Sequence, residues 1–294
     1  MNKLTYRLTN DTLFKMLFVR HQDLLKKLTA ALLGIQLESI WEFTVTNPEM
    51  PPEALGEKFS RLDINMTVDG QRVDIEVQVE DEGGDFPERS LYYWAREYST
   101  ALGSGKAYRI LPRTIVISIV DFKLFPCPEY HSNFQALEVT RHTRLSDRFC
   151  LQYFELPKLP DEITKKSELN MWLSLFKAKT EEDFRKLEEL EVPFVEQTLE
   201  AYRSITATNE FKELERLRAL ARHNEAAALA RAEEKGIERG RVWEREKWQG
   251  VVADKDAALE EKDKLLADQK AEIAALMAQL NEKKYPEATQ KPSV

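Results

Sequence analysis

LDINMTVDGQRVDIEVQV, residues 62–79, decides how this chain folds. Leu62, Ile64, Met66 and Val68 alternate with Asp63, Asn65 and Thr67. After Asp69-Gly70, the apolar residues Val73, Ile75, Val77 and Val79 alternate with Asp74, Glu76 and Gln78. Period-two alternation on both sides of an Asp-Gly pair predicts a β-hairpin with a two-residue turn. In that register Val68 faces Gln71, Met66 faces Val73, Ile64 faces Ile75 and Leu62 faces Val77, so one face is apolar throughout. On the other face Asn65 meets Asp74, Asp63 meets Glu76, and Arg61 meets Gln78.

Opposed residues in such a pair hold their Cβ atoms about 4.5–5.5 Å apart, and like charges at that distance destabilise a sheet. A hard divalent cation would offset the repulsion between Asp63 and Glu76, because magnesium takes oxygen ligands from one or two carboxylates. Such an ion polarises a phosphodiester and acidifies a bound water. Gln78, on the same face, can orient water or a phosphate oxygen but cannot act as a base. The plainer alternative is a solvated polar face on which Arg61 and Arg72 soften the acidic charge. A D-x(12)-E-x-Q spacing alone does not decide between the two.

Outward from the hairpin, the elements alternate in type. Apolar residues from Leu13 to Leu32 recur every three or four positions, which predicts an amphipathic helix or helix pair between Asn10 and Leu33, closed by Gly34. Phe43 to Pro52 reads as a short strand broken by Pro48, Pro51 and Pro52. Asp81–Asp85 is an acidic, Gly-rich loop, and Pro87 opens a helix through Leu102. Arg113–Phe125 is a β-branched run suited to a buried central strand. Weaker strands are expected at Phe134–Val139 and Phe149–Leu156, and helices near Glu168–Lys177, Glu181–Leu190 and Phe194–Ser204. From about Asn209 one long charged helix follows, with Gly236, Gly240 and Gly250 as points of interruption.

Composition bounds the function. Apolar residues make up 43% of the 294 and aromatics 10%, enough for a sizeable core. Two cysteines, Cys127 and Cys150, exclude a disulfide scaffold and a four-thiolate zinc site, and the four histidines lack metal-site spacing. No apolar run suits a membrane span, and the first residues lack a secretory h-region, so a cytoplasmic protein without membrane partners is expected. The net charge of −8 argues against coating nucleic acid by bulk charge, but not against a local phosphate site. Residues 206–294 carry 17 basic and 18 acidic side chains, so most of the negative charge lies on the first 205 residues.

Within the long helix, Val252, Leu259, Leu266, Ile273 and Leu280 recur every seven residues, as a-positions of a coiled coil do. The matching d-positions Lys255, Lys262, Gln269 and Leu276 are mostly polar. A homodimer through this helix and a solitary solvated helix are both consistent with the pattern.

Three stretches together carry a family resemblance: TNDTLFKMLF at 9–18, the hairpin, and FPERSLYYWAREY at 86–98. With RTIVISIVDFKLF at 113–125 and FELPKL at 154–159, they resemble the PD-(D/E)xK nuclease superfamily, in its recombination-promoting nuclease and putative transposase branch. The resemblance spans roughly residues 3–160. It implies an α/β restriction-endonuclease-like fold, a mixed sheet flanked by helices, with a long helical C-terminal arm. It also implies a magnesium-dependent (or manganese-dependent) DNA endonuclease acting in recombination or transposition-like processing.

Carried across by position, Asp63 matches the family's metal-binding aspartate and Glu76 the acidic residue of its (D/E)xK motif, with the Val77 backbone carbonyl as a further metal ligand. Gln78 replaces the motif lysine, so a positive charge is missing. Asp11 approaches the metal or caps a helix. Arg89 and Tyr93, one helical turn apart, can share a phosphate. Lys106 and Arg109 are further DNA-binding candidates, in a stretch from Tyr98 to Val120 free of acids. Arg141, His142, Arg144 and Arg148 form a second basic stretch. The expected organisation is a nuclease-like domain over 1–158, a helical extension over 159–207, a charged helix over 208–284 and a disordered tail over 285–294. The rival reading is a catalytically silent DNA-binding or coiled-coil interaction protein that retains the nuclease fold.

Overall fold

A computed structural model describes residues 2–47, 64–81, 83–102, 105–160, 165 and 167–284. The hairpin forms in the expected register. β2 (Ile64–Val68) and β3 (Gln71–Gln78) run antiparallel, pairing Ile64 with Ile75, Met66 with Val73 and Val68 with Gln71. Asp69 and Gly70 both have positive φ, 49° and 74°, as a type I′ turn requires. The Asp69 carboxylate accepts the backbone N–H groups of Trp41 and Glu42 at 3.0 and 2.9 Å, which holds the turn against the preceding segment. Asp63, Arg61, the prolines at 48, 51 and 52 and the 285–294 tail lie outside the described residues.

The hairpin belongs to a six-stranded mixed sheet of order β1-β2-β3-β4-β6-β5. The other members are β1 (Phe43–Val45), β4 (Thr114–Val120), β5 (His131–Phe134) and β6 (Phe149–Glu155). β3, β4 and β6 are mutually parallel, and the remaining pairs are antiparallel. Every residue of β4 is buried, as a strand covered on both faces demands.

The two faces differ in chemistry. Ile64, Met66, Val73, Ile75, Ile117 and Ile119 point into the main core, which α1 (Asp11–Arg20), α2 (Gln22–Leu33) and α4 (Glu168–Lys177) fill from one side. Trp172 of α4 stacks on Phe194 at 4.6 Å, and Phe176 on Phe18 at 6.2 Å. The opposite face carries the even-numbered residues of β3 and is covered by α3 (Phe86–Thr100) around a smaller core of Phe86, Val116, Val120, Leu151 and Tyr153. α3 runs against the direction of β3 and β4. Its first turns meet Tyr153 through Ser90, whereas further on Trp94 donates to the Thr114 carbonyl at 2.9 Å and the Glu97 carbonyl accepts from Arg72 at 2.6 Å.

Several elements differ from the sequence expectation. The helix at 10–33 breaks at His21 into α1 and α2, because His21 leaves helical geometry (φ −117°, ψ 70°) while its N–H still bonds Leu17 O at 2.9 Å. β4 stops at Val120, since Asp121 turns aside to pair with Arg7 at 2.6 Å. β5 occupies His131–Phe134, and Leu137 makes only an isolated bridge to Arg144. Gly236, Gly240 and Gly250 do not interrupt the last helix: each costs it about 1 kcal/mol, and no proline intervenes.

α5 (Glu181–Glu188) and α6 (Pro193–Ala207) also pack into the main core, through Phe184, Leu187, Val195, Leu199 and Tyr202. The stretch read from sequence as a helical extension therefore shares the interior of the body built on the sheet. α7 (Asn209–Lys284) starts against the same body: Phe211 is fully buried and meets Tyr6 edge-on at 4.8 Å. The chain divides into two compact units, Met1–Ala221 and Arg222–Val294. In the second unit Val252, Leu259, Leu266, Ile273 and Leu280 are all at least half exposed.

Tyr202 supplies a pH handle on the fold. Its hydroxyl donates to Tyr6 O at 2.8 Å, and burial, reinforced by the Glu181 carboxylate, pushes its pKa up to about 12. A raised pKa means that the folded chain holds the proton more tightly, so this contribution is complete below about pH 10 and is lost as pH climbs toward 12. It amounts to something on the order of 2 kcal/mol. In urea melts from pH 9 to 12, the stability gap between the native chain and Tyr202→Phe is expected to narrow over that interval. A gap that stays constant would contradict it.

Candidate functional site

The polar face of β3 presents Asp74, Glu76 and Gln78 in a row, as the two-residue period of a strand dictates. Parallel pairing sets Glu76 beside Ser118 of β4, and Ser118 beside Tyr153 of β6. Glu76 is 1% exposed and Asp74 6%, so two carboxylates are buried on one strand of a face closed by a helix. Burying ionised carboxylates costs several kcal/mol each unless charges or dipoles compensate. The Ser118 hydroxyl beside Glu76 is buried and has no hydrogen-bond partner among the described residues, leaving an oxygen available to a ligand.

Tyr153 closes the row. Ser90 Oγ donates to Pro87 O at 2.7 Å, so the Tyr153 phenol is the donor in its short hydrogen bond with Ser90. Burial pushes the phenol pKa up, and the Glu76 and Glu88 carboxylates push it further, so the hydroxyl stays protonated at neutral pH.

The first turns of α3 bring Arg89 to this end of the sheet. Its guanidinium lies over the Phe86 ring, 5.1 Å from the centroid, and its buried Nε and Nη2 lack hydrogen-bond partners among the described residues. Buried N–H donors without acceptors are costly. A planar fork of this kind is the geometry that grips a phosphate with two parallel bonds. Tyr93, one turn on, is half-buried and meets Tyr92 edge-on at 5.8 Å.

Gln78 ends β3. Its amide donates to Glu80 O at 2.7 Å, and its backbone carbonyl accepts from Asp121 N at 2.9 Å. Successive carbonyls along a strand point to opposite sides, so the Val77 carbonyl points away from β4, toward the β2 side. The described pairing on that side ends at Ile64–Ile75, one position short of Asp63 and Glu76.

Other sequence candidates lie elsewhere. Asp11 opens α1 in the opposite layer, where its carboxylate is 3.6 Å from Arg218 of α7. There Asn10 and Thr12 both hydrogen-bond Glu215 of α7, while the Asn10 side chain also caps α1 by accepting from Leu13 N. Lys106 and Arg109 are exposed at the other end of the sheet, near where β4 begins. In the FELPKL segment Glu155 pairs with Lys158 at 2.6 Å and accepts the Leu124 and Phe125 N–H groups, a structural clasp. Cys150 is buried and its thiol pKa is pushed up by burial, which suits a packing role.

Sequence reasoning passed over Asp74, Ser118, Tyr153 and Ser90. Asp74 was detectable, since it precedes Glu76 by one strand period. Ser118 and Tyr153 depend on parallel pairings that no local pattern encodes.

The oxygen-only donors of this face suit a hard cation. Among the described residues no three His, Cys, Asp or Glu side chains cluster as a metal site, and Asp63 lies outside them. No described helix is long and apolar enough to cross a membrane. The family model for PD-(D/E)XK nuclease family transposases matches residues 8–232. Comparisons with curated proteins and with solved structures found no match.

Proposed function

We propose, from the premise that this chain belongs to the PD-(D/E)XK nuclease transposase family, that it is a divalent-metal-dependent DNA endonuclease hydrolysing phosphodiester bonds during recombination or transposition-like processing. One observation carries the reading: the Glu76 carboxylate is buried on a central strand, with an amide two residues on and a guanidinium in the helix above it. An adaptor has no need to bury such a charge. A nuclease does, because electrostatic stabilisation is strongest where water is excluded.

Asp63, Glu76 and the Val77 carbonyl would hold the ion, magnesium or manganese. A divalent cation bound there supplies charge neutralisation and polarisation of the phosphate. Gln78 presents its amide to the attacking water or to a phosphate oxygen. It cannot take a proton, so deprotonation of the water falls to solvent or to the substrate's own phosphate oxygen. Arg89 donates Nε–H and Nη2–H to non-bridging oxygens, and Tyr93 adds a phosphate contact from the next turn. The cytoplasm remains the expected setting, and a second copy, paired through the Val252–Leu280 stripe of α7, would supply the second active site needed to cut both strands.

Supercoiled plasmid incubated with the purified full chain tests this directly. Nicked and then linear DNA are expected with magnesium and neither with EDTA. Plasmid that is bound but never cut, with magnesium or manganese, would leave the silent DNA-binding reading standing instead.

A further inference from the structure

Two basic stretches that are far apart in sequence meet at one end of the sheet. β4 and β6 are parallel, so the loops that lead into them, residues 105–113 and 138–148, emerge at the same edge. The junction is bonded: Arg148 Nη2 donates to Arg109 O at 2.8 Å, and Thr114 N donates to Arg148 O at 2.9 Å. Lys106, Arg109, Arg113, Arg144 and Arg148 thereby gather with one intervening acid, Asp147, since Glu138 is taken by Arg141 at 3.4 Å and by the Thr140 and Arg141 N–H groups. On a body that is otherwise acidic, this is a local positive field.

Large apolar side chains stand on the same patch. Tyr108, in a single 3₁₀ turn between Lys106 and Ile110, is 79% exposed, and Leu145 in the facing loop is 84% exposed. An exposed aromatic ring with Arg109 next to it and Lys106 two residues before it serves poorly against duplex DNA, whose bases are already stacked. It is the combination that takes up single strands, the cations tracking phosphates and the ring offering a base something to stack on. The patch stands at the end of the sheet away from Arg89: Thr114, where β4 leaves it, is four residues before Ser118, the partner of Glu76, which is about 13 Å along the strand.

We infer that the 105–113 and 138–148 loops form a docking surface for an unpaired stretch of DNA a few nucleotides from the bond that is cut, with Tyr108 stacking on a base. This inference rests on the nuclease reading for its choice of partner. It gives the enzyme a preference for DNA that carries a single-stranded flank over blunt duplex.

Fluorescence anisotropy of the full-length chain tests it, with a fluorescein-labelled single strand and the matching blunt duplex, in EDTA so that nothing is cut. The single strand is expected to bind more tightly than the duplex. Tyr108→Ala should weaken single-strand binding by about 5- to 150-fold, the range for losing one base–aromatic stack, while Tyr108→Trp restores it. Arg109→Ala should lower the salt slope on the single strand by about 0.7, one phosphate contact. Equal affinity for strand and duplex, or unchanged single-strand binding by a Tyr108→Ala chain that melts normally, overturns the inference. Tyr108-dependent binding in a chain that cuts nothing would instead remove the nuclease reading and leave this surface in place.

Discussion

Glu76→Gln is expected to reduce plasmid cleavage in magnesium by roughly 10³-fold or more while the fold survives. The substitution keeps the shape of the side chain, so the place it fills beside Ser118 is unchanged. What it removes is the negative charge that would hold the cation. Glu76 is 1% exposed and an amide fills the same volume, so the variant is expected to keep a cooperative thermal melt. The two measurements together exclude a trivial explanation, since an unfolded variant would lose both. Manganese titration should show weakened ion binding, and Asp63→Ala should share the loss of cleavage. A Glu76→Gln chain that nicks plasmid at the native rate would dismiss this carboxylate from the chemistry.

The second large effect concerns where the chain can be shortened. Ending it after Ala207 deletes Phe211, which fills a site against Tyr6, and also Glu215 and Arg218, which bind Asn10, Asp11 and Thr12. Loss of a fully buried phenylalanine alone costs about 3–5 kcal/mol, and the start of α1 would be left with unsatisfied polar groups besides. That is a large part of the stability of an ordinary domain. Ending the chain after Ala221 keeps all of these contacts. In urea melts the shorter chain is therefore expected to unfold at much lower denaturant than the 1–221 chain, which should stay close to full length. The 1–221 chain also lacks the Val252–Leu280 stripe, so sedimentation should give it a monomer mass while the full chain sediments as a dimer. Equal melts for the two truncations would refute the anchoring role of the first turns of α7, and a monomeric full chain would refute the dimer.

Much of this architecture could be read from the sequence where local rules dominate. The β2–β3 register followed from Asp69-Gly70, because two positive-φ positions in succession leave a hairpin one way to close. The side of the strand that carries Glu76 and Gln78 followed from the period of two. The interior role of α4–α6 did not follow, because an amphipathic pattern shows that a helix has an apolar side but not which surface it meets. Asp11 illustrates the same limit: its motif places it at the start of a helix, but its 3.6 Å approach to Arg218 of the last helix is a long-range contact that no local pattern encodes. The meeting of Arg109 with Arg148 was likewise hidden, since only the parallel pairing of β4 with β6 brings loops almost forty residues apart to a common edge.

The described sheet ends in its shortest strands, β1 with three residues and β5 with four. A strand border of that length offers a foreign backbone too few free amide and carbonyl groups to zip onto, which is how natural sheets avoid runaway fibril growth. Any self-association of this chain is thereby steered away from backbone templating and left to side chains, where sequence can tune its strength.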